Sequence, residues 1–180
     1  MKIAVIVGHS LLKNGSYTSA DGKRYGGCNE YKWNRAFSKQ LVSALKANGH
    51  KVKRIICPEK KFTSAVQEKR YKLDLVNSGG YNLIIELHLN AASANAKGTE
   101  VLYKSAAGKK YAQKIQKQLS TVFTNRGIKK RDDLYMLNST KPTALILETF
   151  FCTNKSDYKK GKGLAKRKKL AGLVAKGIGK

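Results

Sequence analysis

The chain has 180 residues and a mass of 19.9 kDa, and 41% of its residues are hydrophobic. That length and composition fit one ordinary domain with a hydrophobic core, which excludes a chain that is mainly disordered. The formal net charge of +26 predicts affinity for polyanions such as nucleic acid, an anionic membrane or an anionic wall polymer, and charge alone does not choose among them.

The cysteines and the first residues indicate the compartment in which the chain folds. Cys28, Cys57 and Cys152 are odd in number and form no C-x-x-C pair, so we expect reduced thiols and folding in a cytoplasm. The opening segment MKIAVIVGHS has one lysine and a short apolar run, which is typical of a strand and not of a signal peptide. No apolar run approaches the roughly 20 residues that span a bilayer.

Predicted strands alternate with predicted helices along the chain. Strands are predicted at KIAVIVG, KVKRIIC, NLIIELHLNA, TEVLY, DLYML and TALILETFF. Helices are predicted from the Asn29 cap to Asn48-Gly49, from Ser64 to about Asn77, from Ala107 to Phe123, and, with Leu164 on its inner side, from about Asn154 to Lys180. Residues 10–29 form a long loop, a kind that is usually functional. The alternation predicts an α/β sheet that is covered on both faces.

Polar side chains follow three of the strands, where ligands collect in open α/β sheets. His9 follows the first strand, His88 ends the strand NLIIELHLNA, and Glu148 ends the run ALIL. Glu30 lies in the first turn of the helix after the long loop. Two histidines and a carboxylate are a common catalytic zinc set, and a further carboxylate can accept the proton of zinc-bound water. No HExxH-type motif strengthens this prediction.

Each candidate also has an ordinary structural explanation. His9 and His88 could satisfy buried polar groups, and Glu30 could complement a helix N-terminus. Glu86 shares the strand face of His88, so it either orients that imidazole or has a different role. Asn90 either holds substrate through its amide or caps the turn after the strand.

Four ordered motifs, VGHS, NEYKWN, ELHLNA and ALILETFFCTN, resemble those of the zinc-dependent N-acetylmuramoyl-L-alanine amidases of the type 3 amidase family. The segment NRGIKKRDDLYMLNSTKPTALILETFF is also similar to that family, so the resemblance covers nearly the whole chain. It implies one zinc ion held by His9, Glu30 and His88, with Glu148 as the catalytic carboxylate. It also implies a single catalytic domain over residues 1–180, with a twisted, mostly parallel sheet of about six strands. Glu86 stands where the family often has a small serine.

The resemblance implies hydrolysis of the amide between N-acetylmuramic acid and L-alanine in bacterial peptidoglycan. It includes catalytic domains of phage endolysins, so we expect synthesis in the host cytoplasm and action at the wall after membrane permeabilisation. The positive charge would then attract anionic wall polymers. The chain stops directly after its last helix, which fits a one-domain lysin or a piece of a longer one.

Two rival functions remain open at this stage. A zinc peptidase that cleaves elsewhere in the stem peptide would use the same metal chemistry. A basic polyanion-binding protein without catalysis would use only the charge. Specific nucleic-acid binding is not expected, because the chain has no recognised nucleic-acid-binding signature.

Overall fold

A six-stranded sheet forms the centre of the computed structural model, which describes residues 1–180. Its strands are β1 (Lys2–Val7), β2 (Lys51–Ile55), β3 (Leu83–Asn90), β4 (Thr99–Tyr103), β5 (Asn125–Lys130) and β6 (Thr143–Phe151). Their spatial order is β2-β1-β3-β6-β4-β5. All neighbours pair in parallel except β4 and β6, which are antiparallel. The predicted α/β fold with a mostly parallel sheet is confirmed.

Six α-helices connect and cover these strands: α1 (Glu30–Ala47), α2 (Ala65–Ser78), α3 (Ala106–Leu119), α4 (Tyr135–Asn138), α5 (Lys155–Gly161) and α6 (Leu164–Ile178). The predicted cap of α1 is confirmed, since the Asn29 side chain accepts a hydrogen bond from the backbone N–H of Lys32. Ser64 caps α2 in the same way through the N–H of Gln67. None of the helices combines the length and apolar character that crossing a bilayer requires.

The two faces of the sheet carry separate cores because successive strand residues point to opposite sides. The α1 face, covered by α1, α3 and α6, holds a cluster of 25 buried hydrophobic residues that includes Phe37, Ile85 and Leu147. The α2 face, covered by α2 and α4, holds a cluster of 10 that includes Ile84 and Ile146. Helices therefore cover both faces, as the sequence predicts.

The predicted strand at DLYML is wrong. Residues 135–138 form α4, because Met136 and Leu137 are consecutive and both are buried against the α2 face, which strand alternation does not allow. The strand lies earlier, at β5. This edge strand pairs only with β4 and is mostly exposed and basic, so it carries no apolar alternation to reveal it.

The predicted basic helix over residues 154–180 is two helices. The helical structure is interrupted between α5 and α6 at Gly163, whose φ of 93° lies in the left-handed region. Leu164, predicted on the inner side, is 52% exposed at the start of α6. Cys28, Cys57 and Cys152 are all buried and free.

Candidate active site

His9, Glu30 and His88 come together although they are far apart in sequence. Nε2 of His9 lies 3.2 Å from Oε1 of Glu30, and Nδ1 of His88 lies 3.1 Å from the same oxygen. Each residue offers one ligand atom, and these three atoms all lie within 4.8 Å of one another. The sequence therefore identified a cluster that could hold a metal ion.

Backbone geometry places both histidines. His9 follows β1 in the left-handed region, with a φ of 66°, which is uncommon for a residue with a side chain and turns the chain sharply there. The His88 ring packs directly against Gly8, where an added Cβ would lie 2.4 Å from Cε1 of that ring. A side chain at position 8 would therefore displace His88.

Backbone amides orient Glu30 at the start of α1. Its Oε2 accepts a hydrogen bond of 3.1 Å from the N–H of Ala20, in the long loop. Its Oε1 accepts one of 3.0 Å from the N–H of Leu89, in β3. Burial alone would raise the pKa of Glu30, but its contacts with His88 and His9 outweigh burial and hold the pKa below its usual value.

Glu148 lies beside this cluster, because it pairs in register with His88 across β3 and β6. Its Oε2 is buried and has no hydrogen-bond partner. Burial raises the pKa of Glu148 to about 7, with a further rise from the charge of Glu30 and an opposing effect from His88. Glu148 as a whole is half-buried, and a buried carboxylate oxygen without a partner costs free energy, so it is more typical of a functional site than of a structural one.

The His88 ring lies between the carboxylates of Glu86 and Glu30. Burial would lower the pKa of its imidazole, but the charges and hydrogen bonds of Glu86 and Glu30 raise the pKa well above its usual value.

Glu86 is completely buried and joins a polar network that the sequence analysis did not find. Its Oε1 accepts hydrogen bonds from Nζ of Lys72 at 2.8 Å and from the Tyr135 hydroxyl at 2.7 Å. Its Oε2 lies 3.3 Å from Nε2 of His88. Nζ of Lys72 also lies 3.7 Å from Oε1 of Glu68. The sequence does contain a signal for this network, which is the four-residue spacing of Glu68, Lys72 and Val76 along α2. This spacing places the two charged residues on the inner side of the helix, where apolar residues are expected.

Asn90 has a partner that neither sequence interpretation included. Its amide nitrogen donates a hydrogen bond of 2.8 Å to Oε1 of Glu100 in β4. Glu100 in turn forms ion pairs with Arg126 and Lys129, at 3.1 and 2.8 Å. This contact links Asn90 in β3 to β4, which lies on the other side of β6 in the sheet.

The fold and the cluster together define an α/β protein with two imidazoles and one carboxylate toward the carboxyl ends of neighbouring parallel strands and a second carboxylate at the start of α1. A model of the N-acetylmuramoyl-L-alanine amidase family matches residues 3–180, and the chain belongs to this family.

Solved structures and curated sequences agree with that membership. The chain is similar to a structure described as the catalytic domain of CD27L endolysin targeting Clostridia Difficile, with a TM-score of 0.93, 50% identity, and coverage of 99% of this chain and 96% of that one. It is 29% identical to an uncharacterized 38.4 kDa protein of Clostridium perfringens, over 99% of this chain and 51% of that protein. It is 31% identical to an uncharacterized cell wall amidase of Bacillus anthracis, over 61% of this chain and 22% of that protein. The chain thus spans about half the length, or less, of these curated relatives.

Proposed function

We propose that this chain hydrolyses the amide bond between N-acetylmuramic acid and L-alanine in bacterial peptidoglycan and that it needs a zinc ion. The observation that carries the proposal is the convergence of His9, Glu30 and His88 beside Glu148, whose Oε2 is buried and has no hydrogen-bond partner. Membership of the amidase family and the likeness to an endolysin catalytic domain support the same reaction.

The donor set fits zinc. Two imidazole nitrogens and one carboxylate oxygen are ligand types that catalytic zinc sites use, and such sites keep a further position for water. His9, Glu30 and His88 would hold the ion. When bound, zinc polarises the scissile carbonyl and lowers the pKa of water to about 7.

Glu148 is the proposed catalytic carboxylate. As a carboxylate it takes a proton from the attacking water, and as a carboxylic acid it returns that proton to the departing alanine amine. Its burial suits both steps, because a carboxyl whose pKa lies at about 7 exchanges protons readily at neutral pH. The missing hydrogen-bond partner leaves Oε2 available for this exchange.

We further propose that the protein is a phage endolysin that is made in the host cytoplasm and reaches the wall after membrane permeabilisation. The net charge of +26 supports attraction to anionic wall polymers. Screening by salt would weaken this attraction, so wall binding should fall as ionic strength rises.

The test is digestion of purified peptidoglycan by the zinc-loaded chain, with and without a chelator, followed by analysis of the newly released groups. We expect new alanine amino termini without new reducing sugars, loss of cleavage on chelation, and recovery when zinc is restored. A different amino terminus would favour the peptidase alternative. Wall binding without any cleavage would favour a polyanion-binding protein.

A further inference from the structure

Each histidine of the cluster has one ring nitrogen directed at Glu30 and another directed away from it. In His88, Nδ1 faces Glu30, whereas Nε2 lies 3.3 Å from Oε2 of Glu86. In His9, Nε2 faces Glu30, whereas Nδ1 lies 3.5 Å from the hydroxyl oxygen of Thr18. When a metal binds at the nitrogen that faces Glu30, the remote nitrogen carries the hydrogen, so its contacts orient the ring and favour that tautomer.

The contacts of Glu86 show which partner the remote nitrogen of His88 has. Oε1 of Glu86 already accepts from Nζ of Lys72 and from the Tyr135 hydroxyl. Oε2 is buried, has no hydrogen-bond partner and, as a carboxylate oxygen, can only accept, so it favours an N–H at Nε2 of His88. Oε1 of Glu30 also only accepts and lies 3.1 Å from Nδ1, so it is a metal ion bound at Nδ1 that would leave the hydrogen on Nε2, facing Glu86.

The same accounting applies to His9 through one intervening hydroxyl. The Thr18 hydroxyl donates its only hydrogen to Oε2 of Glu68, at 2.8 Å. Toward His9 it can then only accept, which favours an N–H at Nδ1. With a metal ion bound beside Glu30, both histidines thus have a partner for the N–H at the remote nitrogen and keep the other nitrogen for the metal.

Lys72 links the two carboxylates that impose these tautomers. Its Nζ lies 2.8 Å from Oε1 of Glu86 and 3.7 Å from Oε1 of Glu68, and its side chain is only 1% exposed. We propose that Lys72 is a positioning residue that holds Glu86 and Glu68 in place and so sets the metal-binding tautomers of His88 and His9. This inference rests on the proposed function only for the assumption that the cluster binds zinc.

A cation is needed at this position for a physical reason. Two carboxylates buried close together repel each other and lose their hydration, so each would move toward solvent or take up a proton. Lys72 offsets the charge of both acids from one point. Removing it would therefore disturb both histidines, although it contacts neither.

The experiment compares K72M and K72M/E86Q with the parent and with R70M, which removes an exposed cation from the same helix. Three quantities are measured: the zinc dissociation constant by competition with a chromophoric chelator, the ring nitrogens that carry hydrogen in the zinc-loaded protein by nitrogen-15 NMR, and thermal stability in chelator. The double variant removes the unpaired buried charge that could prevent K72M from folding.

We expect the zinc-loaded parent to carry N–H at Nε2 of His88 and at Nδ1 of His9. K72M should mix these tautomers and weaken zinc binding about 10- to 100-fold, the range for residues that orient metal ligands. K72M/E86Q should recover thermal stability relative to K72M without recovering zinc affinity. R70M should match the parent in all three measurements.

Parent-like zinc affinity in K72M/E86Q, or unchanged tautomers in K72M, would show that Lys72 only stabilises the fold and would overturn the inference. A parent that binds zinc but leaves peptidoglycan intact would refute the proposed function while the positioning role stands. If the parent cleaves peptidoglycan and K72M/E86Q binds zinc as tightly as the parent, the proposed function stands and the positioning role of Lys72 is refuted.

Discussion

The α1 face and the α2 face of the sheet are formed by the same strands, yet they bury different chemistry. Beneath α1, α3 and α6 lies a cluster of 25 hydrophobic residues. Beneath α2 and α4 the hydrophobic cluster has 10 residues, and a charged network of Glu68, Lys72 and Glu86 lies beside it. In β3 and β6, His88 and Glu148 follow the same alternation as the α2-face residues Ile84 and Ile146.

The α1 face therefore contributes mainly to the stability of the fold, and the α2 face mainly to metal binding and catalysis. Hydrophobic burial is the dominant favourable contribution to folding, so the α1 face supplies more of it. Buried ion pairs add little net stability, because desolvation offsets their attraction. Substitutions on the α1 face should therefore change stability, and substitutions on the α2 face should change metal binding and catalysis.

The largest effect is expected from Glu148→Gln, which tests whether the α2 face carries the chemistry. Glutamine has nearly the same shape but cannot accept the proton of water, so the cleavage rate should fall about 10²- to 10⁴-fold. Zinc affinity should stay close to that of the parent, because Glu148 is not among the proposed ligands. The measurements are peptidoglycan turbidity and chelator competition, and preserved lysis would refute the assignment of the base.

Phe37→Ala tests the stabilising role of the α1 face. Phe37 is completely buried and stacks on Trp33 with a centroid distance of 4.8 Å, so its truncation should cost about 3 to 5 kcal/mol of unfolding free energy. Urea unfolding in chelator measures the loss. Leu164→Ala, at a residue 52% exposed, is the control and should change stability by less than about 0.5 kcal/mol.

The zinc affinity of folded Phe37→Ala protein should equal that of the parent. A marked loss of affinity would show that the α1 face also shapes the metal cluster, and would break the separation between the two faces.

Gly8→Ala tests how closely β1 supports the metal cluster. The new Cβ would meet the His88 ring at 2.4 Å, so we expect a loss of about 1 to 3 kcal/mol of stability together with weaker zinc binding. Gly172→Ala is the matched control, because it lies in α6 with no atom within 4 Å of an added Cβ. It should stabilise the protein by about 0.5 to 1 kcal/mol, and identical behaviour of the two variants would contradict a steric role for Gly8.

Zinc affinity should rise with pH, by at most about tenfold per pH unit for each proton released. Glu86 and Glu30 raise the pKa of His88 well above its usual value, so the zinc-free protein keeps the imidazole proton at neutral pH. Zinc needs the neutral ring, so binding must release that proton, and raising the pH removes the competition. Calorimetry in buffers of different ionisation enthalpy measures the release, and proton uptake on binding would contradict this sign.

Patterns within short segments were sufficient to predict much of the fold. The apolar strands, the caps Asn29 and Ser64, and the placement of polar residues at strand ends are all local, so the α/β class and the proximity of His9 and His88 followed from them. The place of Glu30 beside them was implied by the resemblance to the amidase family. Where local patterns were ambiguous they misled, since DLYML is as apolar as a strand and β5 is as polar as a loop. Contacts between distant segments decided both cases: pairing with β4 made β5 a strand, and packing of Met136 and Leu137 on the α2 face favoured the helix α4.

The sequence by itself determined the chemical inventory of this protein: a basic chain, a buried sheet, and a set of histidines and carboxylates matching those of an amidase family. Only the tertiary structure decided how those groups act on one another. Lys72 contacts Glu86 because α2 packs over β3, and Tyr135 reaches the same carboxylate from α4. A buried charge is tolerated only where it has a charged or hydrogen-bonding partner, and here the partners come from other segments of the chain. The pattern of residues within one segment does not reveal such contacts.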